Sequence, residues 1–210
     1  MTEPGNLSDP ALFRKGYDHI RRRDPKLGKI LDRHGPIKFK PSGEMFEAIV
    51  ESILSQQLAG AAAEAIIGRV RALHAEGKLV AKHLHSTPAA KLRKAGVSPQ
   101  KLSYLRNLTS RLSKNTLELQ PLRKLPDEEV IRVLDEVKGI GPWTVHMLLI
   151  FTMGRPDVLP VDDFGIKKGI SEIYGLDGLP KKAEIEKLAE RWHPYCSVAS
   201  LYIWRQKDGS

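Results

Sequence analysis

The chain has 210 residues, 41% hydrophobic and 28% charged, a balance ordinary for a globular protein and one that sets disorder aside as the default. Lys and Arg number 34 against 25 Asp and Glu, and the formal charge of +9 favours polyanionic partners, nucleic acid before an acidic membrane surface. One cysteine, Cys196, rules out an intrachain disulfide and, by count, a thiolate-held zinc or iron–sulfur site. No apolar run approaches the roughly eighteen residues of a membrane span, and MTEPGNLSDPALF has no basic start with a cleavage site, so the expected location is inside the cell.

In chain order, Ser8 and Asp9 before Pro10 form a helix start, and the pattern runs to the stop at His34-Gly35-Pro36. GEMFEAIVESILSQQLAGAAAEAIIGRV places Phe46, Ile49, Val50, Ile53 and Leu54 on one face and continues into an alanine-rich run, which predicts two helices. KHLHS reads as a solvated loop, and His83 and His85 have no partner ligands nearby that would make them a metal site. Ser98 caps a helix with Pro99 in its first turn and Leu102, Leu105, Leu108 and Leu112 as its stripe. PDEEVIRVLDEV opens with acids and buries Val130, Val133, Leu134 and Val137. WTVHMLLIFTMG reads as a buried helix, with His146 as a core histidine, and KKAEIEKLAERW and SVASLYIWRQ predict two more. No segment alternates with period two and no tandem repeat is present, so the fold class is all-α, with about eight to ten helices on short loops.

Between two of these helices lies VKGIGPWTV. A helix ending at Val137, the turn Lys138-Gly139-Ile140-Gly141 and a helix starting at Pro142 make a helix–hairpin–helix. Both glycines allow positive φ and leave the backbone uncovered. Free amides at the next helix N-terminus suit a phosphate without reading sequence, and Lys138 adds a charge beside them. The alternative is a tight turn in which the glycines serve geometry alone. Downstream, LPVDDFGIKKG sets Asp162 and Asp163 at another helix start, where both serve as caps or one faces a ligand.

The ordered set VKGIGPWT, LPVDDFGIKKG, ESILSQQLAG and AERWHPYCSVASLYIW, spread over most of residues 45–205, resembles the helix–hairpin–helix DNA glycosylase superfamily. Within it the chain is most similar to the AlkA-like 3-methyladenine DNA glycosylases (type II), in a compact form too short for the N-terminal β-rich domain of the better-known bacterial members. The resemblance implies two helical lobes flanking an active-site cleft: a terminal lobe of residues 1–40 plus 164–210, and a central lobe of 41–163 with the helix–hairpin–helix at about 130–152.

It also implies roles. Asp163 falls at the catalytic aspartate and Asp162 at its neighbour, the expected cap; a fixed carboxylate stabilises the positive charge that grows on the sugar as an N-glycosidic bond breaks. Trp143, Phe164 and Trp204 match aromatic pocket positions, with core packing as the alternative for each, and a π-face attracts an N-alkylated, cationic purine by about 1 kcal/mol or more. Lys138, Gly139, Ile140 and Gly141 match the DNA-backbone site, and Gln57 the wedge that fills the gap left by a flipped base, with Gln56 and Leu58 as alternatives, or the glutamines simply ending a helix. Members that also cut the backbone carry a lysine where this chain has Trp143, so base release without a lyase step is expected. Cys196 stands where many relatives have arginine, a departure from the family's pattern at a position of polar or phosphate contact.

The implied activity is base excision repair of alkylated purines of the 3-methyladenine and 7-methylguanine type. No cofactor is required, the superfamily allows a monovalent cation at the hairpin carbonyls, and the partner is double-stranded DNA, met as a monomer in the nucleoid or nucleus with no membrane attachment. Two other readings stay open: a non-catalytic helix–hairpin–helix DNA-binding protein, and a glycosylase for another lesion such as uracil or oxidised guanine.

Overall fold

A computed structural model describes residues 5–41 and 43–208. Among these the regular structure is helical: α1 (Pro10–Arg23), α2 (Pro25–His34), α3 (Met45–Ser55), α4 (Gly60–Arg71), α5 (Ala81–Ser86), α6 (Ala89–Lys94), α7 (Pro99–Ser113), α8 (Asp127–Asp135), α9 (Pro142–Met147), α10 (Phe164–Tyr174), α11 (Lys182–Ala189) and α12 (Cys196–Asp208). No described helix is long and apolar enough to cross a membrane.

Side-chain caps set the starts of α1, α2, α7 and α10. Asp9 accepts from Ala11 N at 2.8 Å ahead of α1, and Ser98 from Lys101 N at 3.2 Å ahead of α7. The stretch from Pro10 to the stop at His34 holds two helices. Pro25 has no N–H to continue α1, and Asp24 turns instead to cap α2 through Leu27 N at 3.1 Å. Asp24 is fully buried, yet well supplied with donors: Trp192 Nε1 lies 2.8 Å away and Tyr174 donates its hydroxyl. Burial, together with that bond to Asp24, pushes the Tyr174 hydroxyl far up, so it stays a donor. The helix count also exceeds the expectation because α5 and α6 are too short to show a periodic stripe. KHLHS lies in α5 rather than in a loop; both histidines are exposed, and His85 Nδ1 sits 3.0 Å from Thr109 Oγ1.

Contacts divide the chain into a contiguous central unit, Gly43–Leu148, and a terminal unit made of Met1–Ser42 with Leu149–Ser210. Residues 149–163 therefore lie with the chain ends, not with the central lobe as the sequence suggests. Hydrogen bonds explain the difference: Asn6 Nδ2 donates to Met153 O at 2.9 Å, Leu7 N to Gly154 O at 2.7 Å and Val158 N to Ser197 Oγ at 2.9 Å. The terminal unit buries Ile20, Leu27, Leu31, Ile166, Trp192, Tyr202 and Ile203. The central unit buries Ile49, Ile53, Leu108, Leu134 and Val145, and Arg71 bridges Glu47 at 2.9 Å and Glu51 at 2.7 Å along its edge.

Candidate functional site

In the central unit the hairpin joins α8 to α9. α8 ends at Asp135, two residues before the expected Val137, whose buried side chain is followed by the turn itself. The two glycines behave differently. Gly139 has φ of 87°, and a Cβ there would lie 2.2 Å from Tyr104 Cδ2, so both its backbone and its neighbour demand glycine. Gly141 is extended, with φ of −107° and ψ of 174°, and a Cβ there would meet nothing within 4 Å; the expected positive φ is absent.

The amides also divide. Lys138 N donates to Asn107 Oδ1 at 3.1 Å and Ile140 N to Val137 O at 3.0 Å, while the Ile140 side chain is buried. Those two amides hold the turn together. Among the described residues, the Gly139 and Gly141 amides have no intrachain acceptor. Pro142 takes the first helical position, where a missing N–H costs nothing.

The polar turn between α3 and α4 packs against this hairpin. Gln56 Nε2 donates to Gly139 O at 2.8 Å, which fixes Gln56 as a brace. Gln57 follows with φ of 57°, an unusual conformation for a side-chain-bearing residue, and it is exposed. Gln56, Gln57, Ser52, Ser55, Trp143 and Met147 line a depression of about 530 Å³. Trp143 is 45% exposed there, so the core alternative for it does not hold.

In the terminal unit Asp163 is the N-cap of α10, and its Oδ1 accepts from Ile166 N and from Trp204 Nε1, each at 2.8 Å. Asp162, expected to be the cap, points elsewhere and sits 3.7 Å from Lys167 Nζ. The reversal has a simple geometric cause. Asp163 immediately precedes the first helical residue, the position from which a short side chain reaches the free amides. Phe164 is 62% exposed at the start of α10, and Trp204 is half-buried on α12.

Sequence patterning missed the aromatic company of Trp204. Its ring lies 5.5 Å from Phe151, and Phe151 lies 6.1 Å from Phe39. Phe151 read as a buried helix position but is 40% exposed, because α9 continues as a π-helical segment, Leu148–Thr152, whose wider turn shifts the facing of each residue. Cys196 is fully buried at the start of α12, and burial, with Asp157 adding, drives its thiol far up, so it is no ready nucleophile.

Residues 50–194 match the HhH-GPD superfamily of base excision DNA repair proteins. The DNA-3-methyladenine glycosylase 1 of Schizosaccharomyces pombe is 30% identical over 202 residues, covering 95% of this chain and 87% of that protein. Among solved structures, S. pombe 3-methyladenine DNA glycosylase (Mag1) in complex with abasic DNA superposes with a TM-score of 0.84 at 28% identity, over 92% of this chain and 97% of that one. The Bacillus halodurans DNA-3-methyladenine glycosidase gives 0.83 at 31% identity, over 97% and 92%. With a family match over more than half of its residues and a relative 30% identical along nearly its whole length, the chain belongs to the HhH-GPD superfamily of base excision DNA repair proteins.

Proposed function

We propose that the protein is a DNA glycosylase that hydrolyses the N-glycosidic bond of alkylated purines in double-stranded DNA, leaving an abasic site without cutting the strand. Its relatives named as 3-methyladenine glycosylases support the substrate class. The observation that carries the chemistry is the Asp163 oxygen held by a backbone amide and the Trp204 indole. A carboxylate so fixed needs no reorganisation as positive charge develops on the sugar, or as a water is oriented for attack.

The other residues take supporting parts. Phe164 and Trp204 offer aromatic faces in the terminal unit, and Trp143 offers one in the central unit; each face favours a cationic base, which is also a good leaving group. Gln57, exposed at a strained turn braced by Gln56, supplies the wedge for base flipping. Lys138 and the open amides of Gly139 and Gly141 hold a phosphate in every sequence alike. Trp143, at the position of the superfamily's lyase lysine, has no amine to form a Schiff base. A monovalent cation on the hairpin carbonyls would share the Gly139 oxygen with Gln56 Nε2, and no step of the hydrolysis is routed through one. The site of action is wherever the cell keeps its DNA, with one chain acting alone.

The test is base release from methylated duplex DNA, followed by alkali to reveal abasic sites. Asn keeps the cap, so Asp163→Asn is expected to fold normally, to bind duplex within a few fold, and to lose about 10²–10³-fold or more in release. Strand breaks are expected only after alkali. Full release by the variant would sink the assignment, and duplex binding with no release by either protein would favour a non-catalytic binding protein.

A further inference from the structure

Away from the proposed catalytic aspartate, the terminal unit gathers three unlike donors. Asp157 lies on the stretch after the π-helical segment, His193 on the turn before α12, and Cys196 is the first residue of α12. One oxygen, one nitrogen and one sulfur from these side chains lie within 4.8 Å of one another. His193 Nδ1 is 2.8 Å from Asp157 Oδ2 and 3.5 Å from Cys196 Sγ.

The arrangement does not suit a nucleophile relay. In such a relay the imidazole faces the thiol with one nitrogen and the carboxylate with the other. Here the same nitrogen, Nδ1, faces both. Helix capping explains part of the cluster, since Cys196 N donates to Asp157 Oδ1 at 3.1 Å. It does not explain why an imidazole and a thiol close on the same carboxylate.

A tetrahedral zinc centre, with bonds of about 2.0–2.3 Å, sets its donors roughly 3.3–3.7 Å apart. The sulfur and nitrogen already stand at that spacing; the carboxylate oxygen has to withdraw from the imidazole by about half an ångström, and the oxygen–sulfur edge, within 4.8 Å, has to settle near 3.5 Å. Carboxylate, imidazole and thiolate together suit a borderline divalent ion, and the half-exposed His193 leaves a side for entry and for water as a fourth ligand. A single cysteine rules out a cysteine-rich site but leaves a mixed one open, a distinction that counting residues misses.

We propose that Asp157, His193 and Cys196 bind one zinc-class divalent cation that ties the stretch leading to Asp163 to the helix that carries Trp204. On binding, the ion replaces the proton on Cys196 Sγ, which leaves to solvent, and His193 ligates through Nδ1 as a neutral imidazole with its proton on Nε2. The role is structural. It rests on donors separate from those that carry the glycosylase reading, so either can fail alone.

Cobalt(II) titration of the full chain, read by absorbance, tests it. Because Cys196 is the only cysteine, any thiolate-to-cobalt charge-transfer band reports on this site. The expected result is such a band saturating at one equivalent, lost in both Cys196→Ser and His193→Ala, and bleached by added zinc. Cys196→Ser is nearly isosteric and His193 is half-exposed, so both variants are expected to keep their helical circular dichroism. No band with wild type, or a band that survives His193→Ala, overturns the proposal.

Discussion

The two loops that lead into α9 and α10 prepare polar chemistry in opposite ways. Lys138 to Gly141 presents backbone: two of its residues are glycines, Ile140 is buried, and a pair of amides without an intrachain acceptor stands beside the exposed Lys138. Val161 to Asp163 presents a side chain, and the backbone is spent on positioning it through the Asp163 cap. Both use a helix N-terminus, where donors run free. A backbone site tolerates changes of side chain but not the arrival of bulk, whereas a carboxylate site tolerates neighbours but not its own replacement.

Gly139→Ala probes the first loop most severely. The Cβ strikes the Tyr104 ring and φ stays positive, so a loss of about 2–3 kcal/mol in unfolding free energy is expected, read by urea denaturation. Stability within about 0.5 kcal/mol of wild type would mean the hairpin yields easily, and the contrast with the second loop would collapse.

Gly141→Ala sharpens the point, because its Cβ meets nothing in the chain. Stability is expected to hold while affinity for damaged and undamaged duplex falls by about tenfold alike, equivalent to about 1.4 kcal/mol, in a fluorescence anisotropy titration. A loss confined to damaged duplex counts against the phosphate role.

For the second loop, Trp204→Phe keeps a ring but removes the donor to Asp163 Oδ1. A hydrogen bond to a charged carboxylate is worth about 1.5–3 kcal/mol, so single-turnover base release is expected to slow by about ten- to a hundredfold. Unchanged release would show that Ile166 N alone fixes the carboxylate. Asp162→Asn should do least: its exposed pairing with Lys167 at 3.7 Å is expected to change release by less than about twofold. A large effect there would return the catalytic role to the first acid of the pair.

Much of this was readable before the fold. The caps at Asp9 and Ser98, the paired helices around SQQ, and the glycine hairpin are local features, set by residues within a turn of one another. What escaped was non-local or depended on one residue of register. Gly139 and Gly141 look equivalent in sequence, and their backbone angles together with Tyr104, on another helix, tell them apart. Asp162 and Asp163 exchange their expected capping role because the helix begins a residue later than the pair suggests. The Phe39, Phe151 and Trp204 rings meet from three distant segments, and Asp157 is 36 residues from His193.

The terminal unit's division between the two chain ends bears on how the protein is made. The central unit emerges from the ribosome in one piece, so its contacts form as it appears. α1 and α2 must wait through all of it for α10 and α12, on the order of ten seconds at ordinary rates of synthesis. During that interval Phe13, Ile20, Leu27 and Leu31 have only each other for cover, and the basic residues Arg21, Arg22, Arg23 and Arg33 around them keep the nascent hairpin soluble.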